Sequence, residues 1–193
     1  MRTFHVAVAG ATGAVGSEFL QLLESREFPL ASLKLLASER SVGKILHYRG
    51  KPYTVELLDH YSFTGIDIAF FSAGGNRTKE FAPSAVKAGA LVIDNSSAYR
   101  MDPDVPLVIP EVNPEAILQH KGIIANPNCS TIVMLMVVAP LRNLAPIRRI
   151  IASTYQAASG AGAQAMQELL DQTNDVLHER PVSQPSMRAP AFI

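Results

Sequence analysis

The chain holds a single cysteine, Cys129, in the stretch NPNCST (126–131). An apolar run, Ile123 to Ala125, enters an Asn-Pro-Asn turn; the thiol follows, and Ser130 and Thr131 lead into a second apolar segment. This pattern sets a nucleophile where a strand ends and a helix begins. In a helix's first turn a thiol meets the positive end of the helix dipole and unbonded backbone N–H groups, conditions that favour the thiolate and can hold a developing oxyanion. Ser130 and Thr131 are residue types able to cap such a helix. The plainer reading is a buried structural cysteine, the commonest fate of a lone Cys. Its place beside a tight turn, at the carboxyl edge of a sheet, favours the reactive reading.

A second chemical signal lies near the N-terminus. GATGAVG (10–16) places Gly10, Gly13 and Gly16 three apart, a G-x-x-G-x-x-G spacing rather than G-x-G-x-x-G. Glycines there permit a tight turn and close backbone approach to a pyrophosphate, while the following helix offers its N–H groups and dipole. Such a loop is often only a turn; its position between a first strand and a first helix points to dinucleotide binding. ASERSVGK (37–44), past the second strand, supplies Ser38, Arg40, Ser41 and Lys44 around one acid, Glu39. Hydroxyls with an arginine suit a 2′-phosphate, which favours NADP over NAD. The alternative for this segment is a solvated charged loop.

The elements that must position these groups alternate. Buried-strand patterns fall at 4–10, 33–38, 67–73, 90–96, 106–112 and 122–127, and 44–58 reads as two short strands around the turn RGKP. Helical spacing occupies 14–28, through Val15, Phe19, Leu22 and Leu23, and about 76–88. Strands alternating with helices imply an α/β fold: a Rossmann-like, doubly wound, mostly parallel sheet. After Pro146 the character changes. Residues 147–177 read as a long strand, a small-residue turn and a long amphipathic helix, and 178–193 are rich in Pro and polar residues. We place an NADP-binding domain at 1–127 and the start of an α+β catalytic and dimerisation domain, incomplete, at 128–193.

Composition narrows the class. With 17 Lys plus Arg against 17 Asp plus Glu, the net charge is zero, which gives no support to a nucleic-acid partner. One cysteine makes no internal disulfide, in keeping with a reducing cytoplasm. The longest apolar run, Ile132 to Pro140, falls well short of the ~20 residues of a membrane span. No His, Cys, Asp and Glu have metal-ligand spacing, so no metal is expected.

Together, GATGAVG, ASERSVGK, DNSSAYRM, PEVN, NPNCST and TYQAASGAGAQAM resemble the bacterial aspartate-semialdehyde dehydrogenases over residues 4 to about 178. NPNCST and the TYQAASGAG block are the specific parts. The N-P-G-C-Y pattern of N-acetylglutamyl-phosphate reductases and the S-C-T-T-N of glyceraldehyde-3-phosphate dehydrogenases do not occur. The resemblance implies that Cys129 is the nucleophile, that Asn128 helps hold the carbonyl oxygen and that Gln156 orients the substrate. It implies that Arg100 binds phosphate, for which a bidentate guanidinium is well shaped. Gly10, Thr12, Gly13, Ala14, Val15, Ser38, Arg40 and Ser41 would hold NADP, with Ser159 and Gly160 near its nicotinamide. The implied reaction is reductive dephosphorylation of L-aspartyl 4-phosphate to L-aspartate 4-semialdehyde through a cysteine thioester reduced by NADPH. It serves lysine, threonine, methionine and diaminopimelate biosynthesis, in a full-length homodimer.

This family also uses a His general base and an Arg for the substrate carboxylate, both from beyond residue 193. His5, His47, His60, His120 and His178 match neither motif. The expectation is a chain that binds NADP but turns over poorly alone. A non-catalytic dinucleotide-binding module and another acyl-phosphate reductase of the superfamily are the alternatives.

Overall fold

The computed structural model describes residues 2–182. Two compact units divide the chain, Met1–Ile151 and Ala152–Ile193.

The first unit is built on a seven-stranded sheet. Its strands are β1 (Phe4–Ala9), β2 (Leu30–Ala37), β3 (Ile45–Tyr48), β4 (Lys51–Leu57), β5 (Ile68–Phe71), β6 (Leu91–Asp94) and β7 (Ile123–Ala125). They run in the order β3-β4-β2-β1-β5-β6-β7. All neighbours pair parallel except β3 with β4. That antiparallel pair is the expected RGKP hairpin: Arg49 and Gly50 both take positive φ (49° and 70°), the pattern of a two-residue type I′ turn.

Helices α1 (Ala14–Ser25) and α2 (Gly75–Lys87) cover the two faces. Alternation along β1 explains why both faces are filled. Val6 and Val8 join Leu20 and Leu23 of α1, with Leu33, Leu35 and Val55, in one cluster. Ala7 and Ala9 join Phe81, Ala82 and Ala85 of α2, with Leu36, Phe71 and Val92, in the other. A strand buried on both sides needs apolar residues at every position, which is why FHVAVAG shows no polar alternation. Each large aliphatic side chain so enclosed contributes about 1.5–3 kcal/mol.

Two expected strands do not form as such. Within 106–112 only one bridge survives, Leu107 with Ala125; the Val108 N–H donates to the Ala125 carbonyl at 2.9 Å and the Ala125 N–H to that of Pro106 at 3.0 Å. Pro110 has no N–H to extend the ladder. Asn113 instead folds the segment back, its Oδ1 accepting from the Ile109 N–H at 2.9 Å. Residues 147–157 likewise carry no strand, and Ile151 and Tyr155 stay exposed. A strand exists only with a partner to take its backbone hydrogen bonds.

Helix α3 (Cys129–Leu141) follows β7. It is apolar all round, yet none of its residues is fully buried, and Val133 and Val137 are each 69% exposed. Such a helix is ordinarily enclosed. In the second unit, a 3-10 turn (Ala158–Ala161) leads into α4 (Ala163–Leu177). The His178 ring bonds the Asn174 carbonyl at α4's end, 2.8 Å away. No described helix is long and apolar enough to cross a membrane.

Candidate active site

The glycine loop links the carboxyl ends of three strands. Gly10 has φ +91°, and a Cβ there would stand 2.4 Å from the Ser72 carbonyl oxygen just past β5. At Gly16, a Cβ would stand 2.4 Å from the Gly10 carbonyl oxygen, so this glycine lets α1 close against the loop. Gly13 is the N-cap of α1 and provides no side chain to it; no acidic residue occupies the first turn, where Ala14 and Val15 stand. The helix end therefore presents backbone N–H groups and a positive dipole without a competing carboxylate, the requirements of a pyrophosphate cradle.

Thr12 ties this loop to the turn after β2. Its Oγ1 donates to Ser41 Oγ at 3.2 Å, and the Ser41 N–H donates to the Ser38 carbonyl at 2.8 Å. Ser38 stands just before the short 3-10 turn Glu39–Ser41, its side chain making no capping bond, and Arg40 within the turn is exposed. Thr12, Ser38, Arg40 and Ser41 thus lie together at the end of β2, beside a cleft of about 460 Å³ that Ser38 and Arg40 help line. The cleft, the bare helix end and the close-approach glycine fit a dinucleotide.

The thiol sits farther along the same edge, on the other side of β1. Cys129 is the first residue of α3 and is exposed, not a core residue. The cap is neither Ser130 nor Thr131. Asn128 takes that role: its Oδ1 accepts from the Ser130 N–H at 2.9 Å, and the Cys129 Sγ lies 4.0 Å from the same oxygen. Asn is as good an N-cap as Ser, and it stands where the backbone is still extended.

Arg100 is fastened between the loops after β6 and β7. Its Nε donates to the Asn126 carbonyl at 3.0 Å and its Nη2 to the Asn95 carbonyl at 3.2 Å. The Asn126 side-chain amide donates to Asn95 Oδ1 at 2.6 Å, joining the two loops directly. Burial lowers the Arg100 pKa, opposed by the charges of Asp94 and Cys129. The group remains a cation throughout the accessible range.

Beneath this layer is a buried carboxyl that the motifs did not single out. Asp94, at the end of β6, is fully buried. Its Oδ1 accepts from the Ser96 N–H at 2.8 Å and its Oδ2 from the Ser96 hydroxyl at 3.0 Å. Burial raises its pKa, against the pull of the Ser96 hydrogen bonds, Arg100 and Thr78. The signal was present in DNSS: an Asp at a strand's end followed by a small hydroxyl residue two positions on is an Asx-turn pattern.

In the second unit, Gln156 precedes the turn that holds Ser159 and Gly160. The Gln156 side chain covers Gly160 so closely that a Cβ there would stand 2.3 Å from Nε2. Of the histidines, His5 bonds Ser32 Oγ and His60 bonds Ser84 Oγ, both at 2.8 Å, and the His120 ring accepts from the Gly122 N–H at 3.1 Å. Among the described residues, no His, Cys, Asp and Glu cluster in a metal-holding group.

A doubly wound sheet with a phosphate-type glycine loop at one strand end, and an exposed thiol in the first turn of a helix at another, defines the class of dinucleotide-binding α/β proteins. Residues 5–120 match the family model described as the semialdehyde dehydrogenase NAD-binding domain, and residues 138–191 that described as the semialdehyde dehydrogenase dimerisation domain. The chain belongs to the semialdehyde dehydrogenase family. It is 56% identical over 173 residues to aspartate-semialdehyde dehydrogenase of Synechocystis, a match covering 90% of this chain and 51% of that protein. Among solved structures it resembles aspartate semialdehyde dehydrogenase II from Vibrio cholerae complexed with ASA, at TM-score 0.90 and 46% identity, covering 98% of this chain and 57% of that one. It also resembles aspartate semialdehyde dehydrogenase with NADP from Candida albicans, at TM-score 0.64 and 30% identity, covering 76% and 48%. The chain thus spans about half the length of the curated relatives it matches. These likenesses bear out the α/β, Rossmann-like fold and the family read from the motifs.

Proposed function

We propose that this chain carries the cofactor and acyl-transfer half of an NADP-dependent aspartate-semialdehyde dehydrogenase, acting as a homodimer in its full-length form. The observation that carries the reading is the pairing of Cys129, exposed at the start of α3, with Arg100, a cation fixed by two backbone carbonyls at the neighbouring strand ends. A binding module has no use for that pairing. The Vibrio cholerae relative complexed with ASA supports the substrate class.

In the proposed reaction the Cys129 thiolate attacks the C4 carbonyl of L-aspartyl 4-phosphate. Backbone N–H groups at the start of α3 and the Asn128 amide hold the developing oxyanion. The carbon–oxygen bond to phosphate breaks, inorganic phosphate leaves against Arg100, and a thioester remains on Cys129. NADPH, when bound, supplies the hydride that reduces this thioester. Collapse of the resulting thiohemiacetal returns the thiol and releases L-aspartate 4-semialdehyde. By the family resemblance Gln156 would orient the substrate, and Ser159 and Gly160 would serve the nicotinamide end of the cofactor. The 2′-phosphate goes to Ser38, Arg40 and Ser41, a preference for which the Candida albicans relative with NADP is the outside support.

Intact-protein mass spectrometry after brief exposure to a mild alkylator near neutral pH, with and without NADP, tests this. Rapid single labelling of Cys129, slowed by NADP, is the expected result. Labelling no faster than that of a free thiol, and indifferent to NADP, would return the chain to a non-catalytic binding module.

A further inference from the structure

The crevice beside β2 has a second wall. Ser38, Glu39 and Arg40 line one side; Arg77, Glu80 and Phe81, from the first two turns of α2, line the other. The volume, about 460 Å³, is that of a small-molecule pocket. Its place follows from topology. The chain runs outward from β1 to β2 on one side and from β5 to β6 on the other, so the switch point lies between β1 and β5, where open α/β sheets bind dinucleotides. A dinucleotide with its pyrophosphate on the N-terminus of α1 would have its adenosine end held by residues near the end of β2, where Thr12 is bonded to Ser41 and this cleft opens.

Arg77 is exposed, and its guanidinium holds no ion pair among the described residues, although Glu80 stands three positions along the same helix. Two arginines therefore line one cleft, Arg40 from the turn after β2 and Arg77 from α2. That arrangement matches a phosphomonoester dianion better than a ribose hydroxyl, since charge-assisted hydrogen bonds to phosphate are the strong ones. Glu39 and Glu80 balance the cleft's charge when it is empty and oppose the phosphate when it is full. Resting on the NADP reading above, we infer that Arg77 is a second specificity-determining cation, gripping the 2′-phosphate of NADP(H) across the cleft from Arg40.

Fluorescence titration of the chain with NADPH and with NADH tests it, with Arg77→Ala, Arg77→Lys, Arg40→Ala and Glu80→Gln as variants. Arg77→Ala is expected to weaken NADPH binding by about tenfold and to leave NADH unchanged. Arg77→Lys should recover part of the loss, and Glu80→Gln should tighten NADPH. Circular-dichroism melts report whether each variant keeps the fold, which an exposed side chain does not decide. Loss of NADPH affinity in Arg40→Ala but not in Arg77→Ala would overturn the role of Arg77 alone. An equal loss for NADPH and NADH would overturn it too, making Arg77 a contact to the shared adenosine. A wild-type chain that binds both cofactors equally would remove the NADP preference itself, and the inference with it.

Discussion

The guanidinium of Arg100 is bonded to the carbonyl of Asn126, 3.0 Å away and three residues ahead of Cys129. The side-chain amide of the same Asn126 reaches Asn95 at the end of the adjacent strand. The turn that presents the thiol and the arginine assigned to phosphate are therefore one assembly. Neither can shift without breaking hydrogen bonds at the ends of both β6 and β7.

Replacing Arg100 should consequently cost stability as well as any role in phosphate binding. Arg100→Lys places a point charge where two fixed donors are needed, and Arg100→Ala leaves both carbonyls to water. Each should lower the unfolding free energy by about 1–3 kcal/mol in urea titrations. An unchanged midpoint would mean that the two bonds are exchanged for solvent at no cost.

Glycine positions in the loop should respond to alanine for different reasons. Gly10→Ala combines φ +91° with a Cβ 2.4 Å from the Ser72 carbonyl oxygen, and should cost about 2–4 kcal/mol. Gly16→Ala keeps an ordinary backbone conformation but drives a Cβ to within 2.4 Å of the Gly10 carbonyl oxygen, so only overpacking acts, at about 1–3 kcal/mol. Both should weaken dinucleotide binding, read by the same fluorescence titration.

Cys129→Ser should abolish alkylation entirely, since no other cysteine exists, and should also abolish thioester formation with an acyl phosphate. Cofactor binding should be unaffected, because the glycine loop and the β2 turn do not involve this residue. A serine variant still acylated at the wild-type rate would remove Cys129 from the mechanism.

The buried Asp94 makes a prediction about pH. Its pKa is raised above 3.8 by burial, so the folded protein holds this proton to higher pH than the unfolded chain does. The contribution to stability is complete below the unfolded value and is lost as pH rises through the folded one. Asp94→Asn removes that loss. Relative to wild type, the variant should gain stability as pH rises from the ordinary carboxylate value through the raised folded one and level off above it in denaturant titrations, and a stability difference that does not change with pH would show that Asp94 is not shifted.

Much of this was legible in residues alone. The glycine loop, the apolar runs of β1 and β5, the RGKP hairpin and the junction carrying Cys129 each depend on local chemistry: conformational freedom, unbroken hydrophobicity, turn residues and helix-end dipoles. These signals act within a few residues and so survive in a linear reading. The failures were non-local. The segment 106–112 looked like a strand because it is apolar, but a ladder needs successive donors and Pro110 has none. The segment after Pro146 looked like one too, and none of its described residues up to 157 is in a strand.

The site divides the same way. Sequence by itself determined the family, the thiol, the glycine loop and the phosphate-suited residues after β2, because motif spacing encodes them. Tertiary structure decided that Asn128 rather than Ser130 caps α3, that Asn95 and Asn126 clamp Arg100, that Asp94 is buried beneath them, and that Arg77 and Arg40 line one cleft. Each of these joins residues brought close by the sheet order, and sheet order follows from how two hydrophobic faces are covered, a property of the whole core.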